Sequence, residues 1–275
     1  MNWLATEVAE AAAAVRQRWD RTPSIGIILG TGLGQFADEL ADSLTIPYSA
    51  IPHFPLSQAL SHAGRAVCGQ FAGVDLIALS GRSHLYEGHP LERLEFPVRC
   101  LATLGVRTLI VTNASGGLNP RLASGDVLVI TSHIDLMGRR AISAAGDSRP
   151  RGAGPYDRQL ADVALAAARR HQFPAVEGTY VGMSGPNYET RAEYRFLRRI
   201  GGDAVGMSTI PEVQVAARLG LRCLALSVVT NVASPDIAVH TTPEAVVAAA
   251  TRSATRLAHL VRAAIAAERL LGVDR

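Results

Sequence analysis

Short, apolar, β-rich runs alternate with longer stretches of helical period along this chain, and that alternation restricts its fold more than any other feature. Ser24 to Leu29, Val74 to Leu79, Thr108 to Val111, Val127 to Ile130 and Leu224 to Val229 are runs of the fully buried type. Around them, residues 2–19, 91–104, 158–171, 190–200 and 211–219 carry apolar residues at helical spacing. Pro211-Glu212 opens the last of these as a favourable first-turn pair. A further helix runs from Thr241 to near Leu271, with Thr241 and Glu244 at capping-box spacing. This alternation predicts an α/β fold with a central mixed β-sheet flanked by helices. At 275 residues, one domain covering 1–275 is expected. Segment 138–157 is rich in Gly, Pro, Arg and Ser without a period, and reads as a surface loop of that domain.

Composition removes several function classes. The chain contains no lysine, so all 27 basic residues are arginine. A P-loop needs its lysine on the phosphates and Schiff-base chemistry needs a lysine amine, so both are excluded. Any phosphate must be held by arginine, backbone amides, hydroxyls or imidazole. A net charge of +3, with basic runs no longer than pairs such as Arg169-Arg170 and Arg198-Arg199, points to no nucleic-acid partner. Cys68, Cys100 and Cys223 lie far apart in apolar surroundings and read as core filler. No apolar run reaches membrane length, and Glu7, Glu10, Arg16 and Arg18 interrupt the N-terminal stretch, so a cytoplasmic protein without a membrane partner is expected.

Polar residues crowd where strands are expected to run out. One cluster is Ser80-Gly81-Arg82-Ser83-His84-Leu85-Tyr86-Glu87-Gly88-His89, and a second is Thr112 to Asn119. Ligands of open α/β sheets bind outside the carboxyl ends of strands. The loop Gly30-Thr31-Gly32-Leu33-Gly34 fails the dinucleotide fingerprint, because Gln35 stands where a third glycine is required. It reads either as a tight strand-to-helix turn or as an anion site built from freed amides and the Thr31 hydroxyl. Arg82 and His84, two apart on an extended segment, share a side and suit one ligand. The spacing of His84 and His89 is not that of a zinc site, so no metal is expected.

Glu189 follows a turn and precedes a helix, so it suits either that helix N-terminus or a planar heterocycle bearing N–H groups. Tyr188 would then pack on the ring face. Asn231, beyond a strand end, offers both a donor and an acceptor. Met207 and Ser208 follow a Gly-rich segment, where methionine is usually filler.

Together the motifs resemble the trimeric, low-molecular-mass purine nucleoside phosphorylases. They are Leu29 to Gly34, His62-Ala63-Gly64-Arg65, Gly81 to Gly88, Thr112 to Pro120, Glu177-Gly178-Thr179-Tyr180, Gly185 to Thr190, Val205 to Val213 and Thr230-Asn231, in family order from Ile25 to Asn231. The resemblance implies that Thr31, His62, Arg82, His84, the Ala114 amide and Ser208 bind phosphate. It implies nucleoside contacts from Tyr86, Tyr188, Glu189, Met207 and Asn231, with His84, Glu189 and Asn231 central to catalysis. The family reaction is reversible phosphorolysis of purine (2′-deoxy)ribonucleosides to free base and pentose 1-phosphate. It needs no metal or organic cofactor, since phosphate is a co-substrate, and it is carried out by a homotrimer.

Glu189 with Asn231 suits inosine or guanosine better than adenosine, whose N1 carries no proton and would face a carboxylate. Two departures concern the sugar. Segment 138–157 is shorter than the family's loop and has no aromatic residue before Tyr156, in a region that supplies one to the neighbouring subunit. Pro243 stands nearest the family's 5′-hydroxyl histidine, with His240 three residues earlier. A sister phosphorylase for 5′-methylthioadenosine or xanthosine, and a nucleoside-binding protein without turnover, are the alternatives.

Overall fold

The protein is described by a computed structural model covering residues 3–57, 62–138, 154–233 and 241–273. Among the described residues, nine strands form one mixed sheet in the order β2-β3-β4-β1-β5-β8-β7-β6-β9. In chain order these are β1 (Ile25–Leu29), β2 (Ala41–Pro47), β3 (Arg65–Phe71), β4 (Val74–Ser80), β5 (Thr108–Gly117), β6 (Val127–Leu136), β7 (Ala175–Met183), β8 (Ala204–Gly206) and β9 (Arg222–Val232). A further β5–β9 pairing closes β5, β8, β7, β6 and β9 into a ring, so that among the described residues the sheet ends in an open edge at β2. Among the described residues the helices are α1 (Trp3–Arg16), α2 (Leu91–Leu104), α3 (Arg158–Arg170), α4 (Arg191–Arg199), α5 (Ile210–Arg218), α6 (Pro243–Arg252) and α7 (Ala254–Val273). None of them is long and apolar enough to cross a membrane.

The expected apolar runs are buried on both faces, and their side chains alternate between two cores. Ile28 of β1 and Leu109 and Val111 of β5 face the core built with α1, α2 and α5. Ile27, Leu29 and Ile110 face the opposite core, built with α3 and α7. The period of two along a strand is what lets one strand serve two layers.

Four strands escape the sequence reading. β2 is mostly exposed, β3 is interrupted by Gly69, β7 is buried only in its second half, and β8 has three residues. None carries a continuous apolar run, and each is held by its neighbours' ladder groups. β5 also corrects the expectation that the strand ends at Val111. β1 stops pairing there, but Thr112 to Gly117 stay paired with β9, and Gly116 and Gly117 add antiparallel pairs to β8. The polar cluster is therefore a strand segment that has lost one neighbour, which opens its side toward a ligand.

The last helix differs as well. Thr242, not Thr241, is its cap, accepting from the Ala245 amide at 3.2 Å, so the Thr241–Glu244 box does not form. The helix breaks at Ser253 into α6 and α7, and the Ser253 hydroxyl bonds back to the Ala249 carbonyl at 3.2 Å. Apolar periodicity continues across the break and hides it. Gly32, at φ +85°, sits against this last turn of α6, where a Cβ would lie 2.6 Å from the Ala250 carbonyl carbon.

Candidate functional site

Parallel strands β4 and β1 end side by side, with Leu29 opposite Ser80, while β5 runs on past β1's last pairing of Ile28 with Val111. The segments beyond those ends are knitted together. Gly30 N–H donates to Thr112 Oγ1 at 3.0 Å, and Arg82 Nη1 donates to the Thr112 carbonyl at 2.8 Å. Gly30 has no room for a side chain, since a Cβ would stand 2.4 Å from the Thr112 oxygen and 2.9 Å from Arg82 Nη1. Above this junction opens a cavity of about 740 Å³. Thr31, His62, Arg82, His84, Tyr86, Ala114, Tyr188, Glu189, Met207, Ser208 and Asn231 all line it, so the residues expected to touch phosphate or nucleoside converge there.

One end is built for an anion. Arg82 is 6% exposed, and its Nε donates to Glu212 Oε1 at 2.8 Å. With Nη1 also engaged, Nη2 is the buried guanidinium nitrogen left without a hydrogen-bond partner. Glu212 Oε2 is likewise buried without a partner, and the Arg82 cation, fixed on two sides at the cavity wall, places positive charge where an oxyanion can bind. Ser83, between Arg82 and His84, turns away to a smaller cavity shared with Glu212, as alternation requires.

His84 is oriented by Glu87, whose carboxylate lies 2.9 Å from Nδ1 and accepts the His84 backbone N–H at 2.8 Å. A carboxylate only accepts, so the ring proton sits on Nδ1. The rings of His62, His84 and Tyr86 stack in series, with centroids 5.3 and 4.9 Å apart. Burial, with the neighbouring His84 and Arg82, lowers the His62 pKa to about 4, so this imidazole is neutral near pH 7. Its Nδ1 is anchored 2.8 Å from the Arg82 carbonyl.

The other end suits a polar heterocycle. Glu189 does not cap α4: Thr190 and Glu193 form that capping box, and Glu189 is left to the cavity. Burial raises its pKa, and the Tyr194 hydroxyl donates to its carboxylate. Burial and that carboxylate push Tyr194 up to about 12, so it stays a donor. Asn231, opposite Gly116 in the β5–β9 register, takes a hydrogen bond from Thr230 Oγ1 at 3.1 Å on Oδ1, which leaves its amide hydrogens for a ligand. Tyr86 and Met207 flank Gly185 so closely that a Cβ there would meet both, 2.9 Å from the Tyr86 ring and 2.4 Å from the Met207 sulfur.

Glu87, Glu212, Tyr194 and Asn113 belong to this site and were not assigned roles from sequence. Glu87, Asn113 and Glu212 stand within the quoted motifs, which is the signal that could have found them, whereas Tyr194 lies outside them. Pro243 is the first residue of α6 and lines the cavity with Glu244, Val246 and Val247. His240 and residues 139–153, including Asp147 to Gly152, lie outside the described residues. Among the described residues, no group of three His, Cys, Asp or Glu side chains is placed to hold a metal ion.

Comparison with known proteins places this geometry. Residues 24–266 match the model of the phosphorylase superfamily. The chain is 44% identical to purine nucleoside phosphorylase 1 of Bacillus subtilis over 232 residues, which cover 82% of this chain and 86% of that protein. It superposes with a TM-score of 0.86 on a schistosome purine nucleoside phosphorylase in complex with hypoxanthine, at 36% identity and covering 94% and 95% of the two chains. A Schistosoma mansoni purine nucleoside phosphorylase in complex with adenosine matches with the same values.

Proposed function

The chain belongs to the phosphorylase superfamily, among the purine nucleoside phosphorylases, and on that premise we propose that it cleaves purine (2′-deoxy)ribonucleosides with phosphate, reversibly, to free base and pentose 1-phosphate. The observation that carries this reading is a single cavity with an arginine-lined anion end and a carboxylate–carboxamide end. Phosphate binds against Arg82, with His84, the Thr31 and Ser208 hydroxyls and the Ala114 amide around it and His62 beside it as a neutral ring. The purine lies against Tyr188, with Glu189 and Asn231 on its edge. The sugar spans the two ends past Tyr86 and Met207.

Cleavage of the glycosidic bond leaves positive charge on the sugar and sends the bonding electrons into the purine. The negative charge of the bound phosphate stabilises the oxocarbenium-like sugar, and a phosphate oxygen then forms the new bond to the anomeric carbon. Asn231 donates to the N7 and O6 side of the base as negative charge develops there. Glu189 accepts the N1–H of a 6-oxopurine and orients the ring. Fixed groups aimed at developing charge contribute about 3 kcal/mol each to lowering such barriers.

The carboxylate of Glu189, which accepts a hydrogen bond from Tyr194, favours inosine and guanosine over adenosine. The exposed Tyr86 and Tyr188 at the cavity mouth suit a site completed near a subunit contact, and a homotrimer is part of this proposal. The three cysteines are buried and free, in keeping with a reducing cytoplasm.

The test is release of free base from inosine, guanosine, adenosine and 5′-methylthioadenosine, with and without phosphate. Phosphate-dependent release from inosine and guanosine is expected. Release confined to methylthioadenosine overturns the substrate assignment and keeps the reaction. Release independent of phosphate overturns the reaction.

A further inference from the structure

Ser208 hangs on an unusual piece of backbone. The next residue, Thr209, is 1% exposed and has φ +72° and ψ −48°. The Ile210 amide donates back to the Ser208 carbonyl at 2.8 Å, so residues 208–210 form a γ-turn of the strained, positive-φ kind. A β-branched residue occupies that region only when its surroundings impose it.

What imposes it comes from β5. Asn113, 1% exposed and lining the cavity, donates from Nδ2 to Thr209 Oγ1 at 2.7 Å. Thr209 Oγ1 in turn lies 3.3 Å from Ser208 Oγ. An oxygen that accepts from Asn113 keeps its own hydrogen to give, and the nearest acceptor is Ser208 Oγ. Ser208 Oγ then accepts on the inner side, and its hydrogen is released toward the cavity. The Ser208 amide is directed separately, donating to the Tyr180 hydroxyl at 3.4 Å.

We propose that Asn113 is a positioning residue that acts through Thr209 to set the polarity of Ser208, so that the Ser208 hydroxyl donates to the bound phosphate. The residue types fit this one direction. Carboxamide nitrogen only donates, hydroxyls relay, and an oxyanion only accepts. The inference rests on the phosphorolysis reading, because it needs phosphate at Ser208.

Three variants test it. Asn113→Asp turns the donor into an acceptor, which reverses the relay and withdraws the Ser208 hydrogen from the cavity. Thr209→Val keeps the shape and breaks the relay, while Thr209→Ser retains it. In Asn113→Asp and Thr209→Val, KM for phosphate is expected to rise about 10- to 100-fold, the worth of one hydrogen bond to a charged group. KM for inosine stays within about twofold and Thr209→Ser keeps KM for phosphate within about threefold of the parent, a split that general loosening does not produce. Unchanged phosphate KM in both broken variants, or equal rises for both substrates, overturns the relay. If Asn113→Asp fails to fold, the Val–Ser contrast at Thr209 decides alone. Wild-type turnover that does not depend on phosphate would overturn the underlying reading instead, and the two failures are distinguishable.

Discussion

Replacing Glu212 by glutamine separates charge from shape at the anion end. Arg82 and Glu212 are each 6% exposed and meet at 2.8 Å. The amide oxygen of Glu212→Gln can still accept the Arg82 Nε–H bond, so only the negative charge is lost. In the ligand-free protein, Arg82 then becomes a buried cation facing two neutral oxygens. Removing one partner of a buried pair costs about 3–5 kcal/mol, and the retained hydrogen bond keeps the loss near about 3 kcal/mol. For a chain of this size that lowers Tm by about 6–12 °C.

Phosphate affinity moves the other way. A carboxylate about 6 Å from a singly charged anion, across the guanidinium, repels it by roughly 3 kcal/mol at an effective dielectric constant near 20. Its removal therefore tightens phosphate binding roughly 100-fold. The assay is thermal unfolding over a phosphate series. The variant should start lower than wild type and gain more with phosphate, since a ligand that binds only the native state raises its stability with concentration. An unchanged Tm without phosphate, or an unchanged phosphate response, would refute the idea that Arg82 divides its charge between Glu212 and the anion.

Glu189→Gln is expected to slow inosine turnover about 10²- to 10³-fold while phosphate binding stays near wild type, and steady-state kinetics with phosphate titration checks it. Because burial raises the Glu189 pKa, its carboxyl gains a proton as pH falls, and a protonated carboxyl can donate to adenine N1. The adenosine-to-inosine ratio of kcat/KM should therefore rise toward acid pH in wild type and stay flat in the glutamine variant. The His62 pKa falls from 6.5 to about 4 in the folded protein, so unfolded chains bind more protons than folded ones between those values. Stability from this group is full above pH 6.5 and is lost as pH falls to about 4, so urea midpoints at pH 7 and 5 should differ more in wild type than in His62→Gln. Gly30→Ala drives a Cβ to 2.4 Å from the Thr112 carbonyl oxygen. Phosphate binding measured by calorimetry should weaken more than binding of a free purine base, and equal weakening would count against the junction's role.

The alternation of apolar runs and helical periods was enough to specify an α/β fold, because burial on both faces of a strand leaves a local mark at each residue. The helices at 91–104 and 158–171 match α2 and α3 to within a residue for the same reason. Motif order likewise picked out the lining residues, from Thr31 to Asn231, since they sit on the turns and strand ends those motifs build. What no local pattern carries is which groups face each other over long separations. The Arg82–Glu212 pair joins residues 130 apart, and Asn113 meets Thr209 across 96. The edge strand β2, its neighbour β3 and the three-residue β8 exist through ladder bonds to neighbours rather than through their own propensity. The continuation of β5 through Gly117 depends on β9 being beside it after β1 has ended. The chain thus names the chemistry residue by residue, while tertiary packing decides its direction. Packing sets which nitrogen of Arg82 stays uncommitted, which side of His84 holds the proton, and where the Ser208 hydroxyl points.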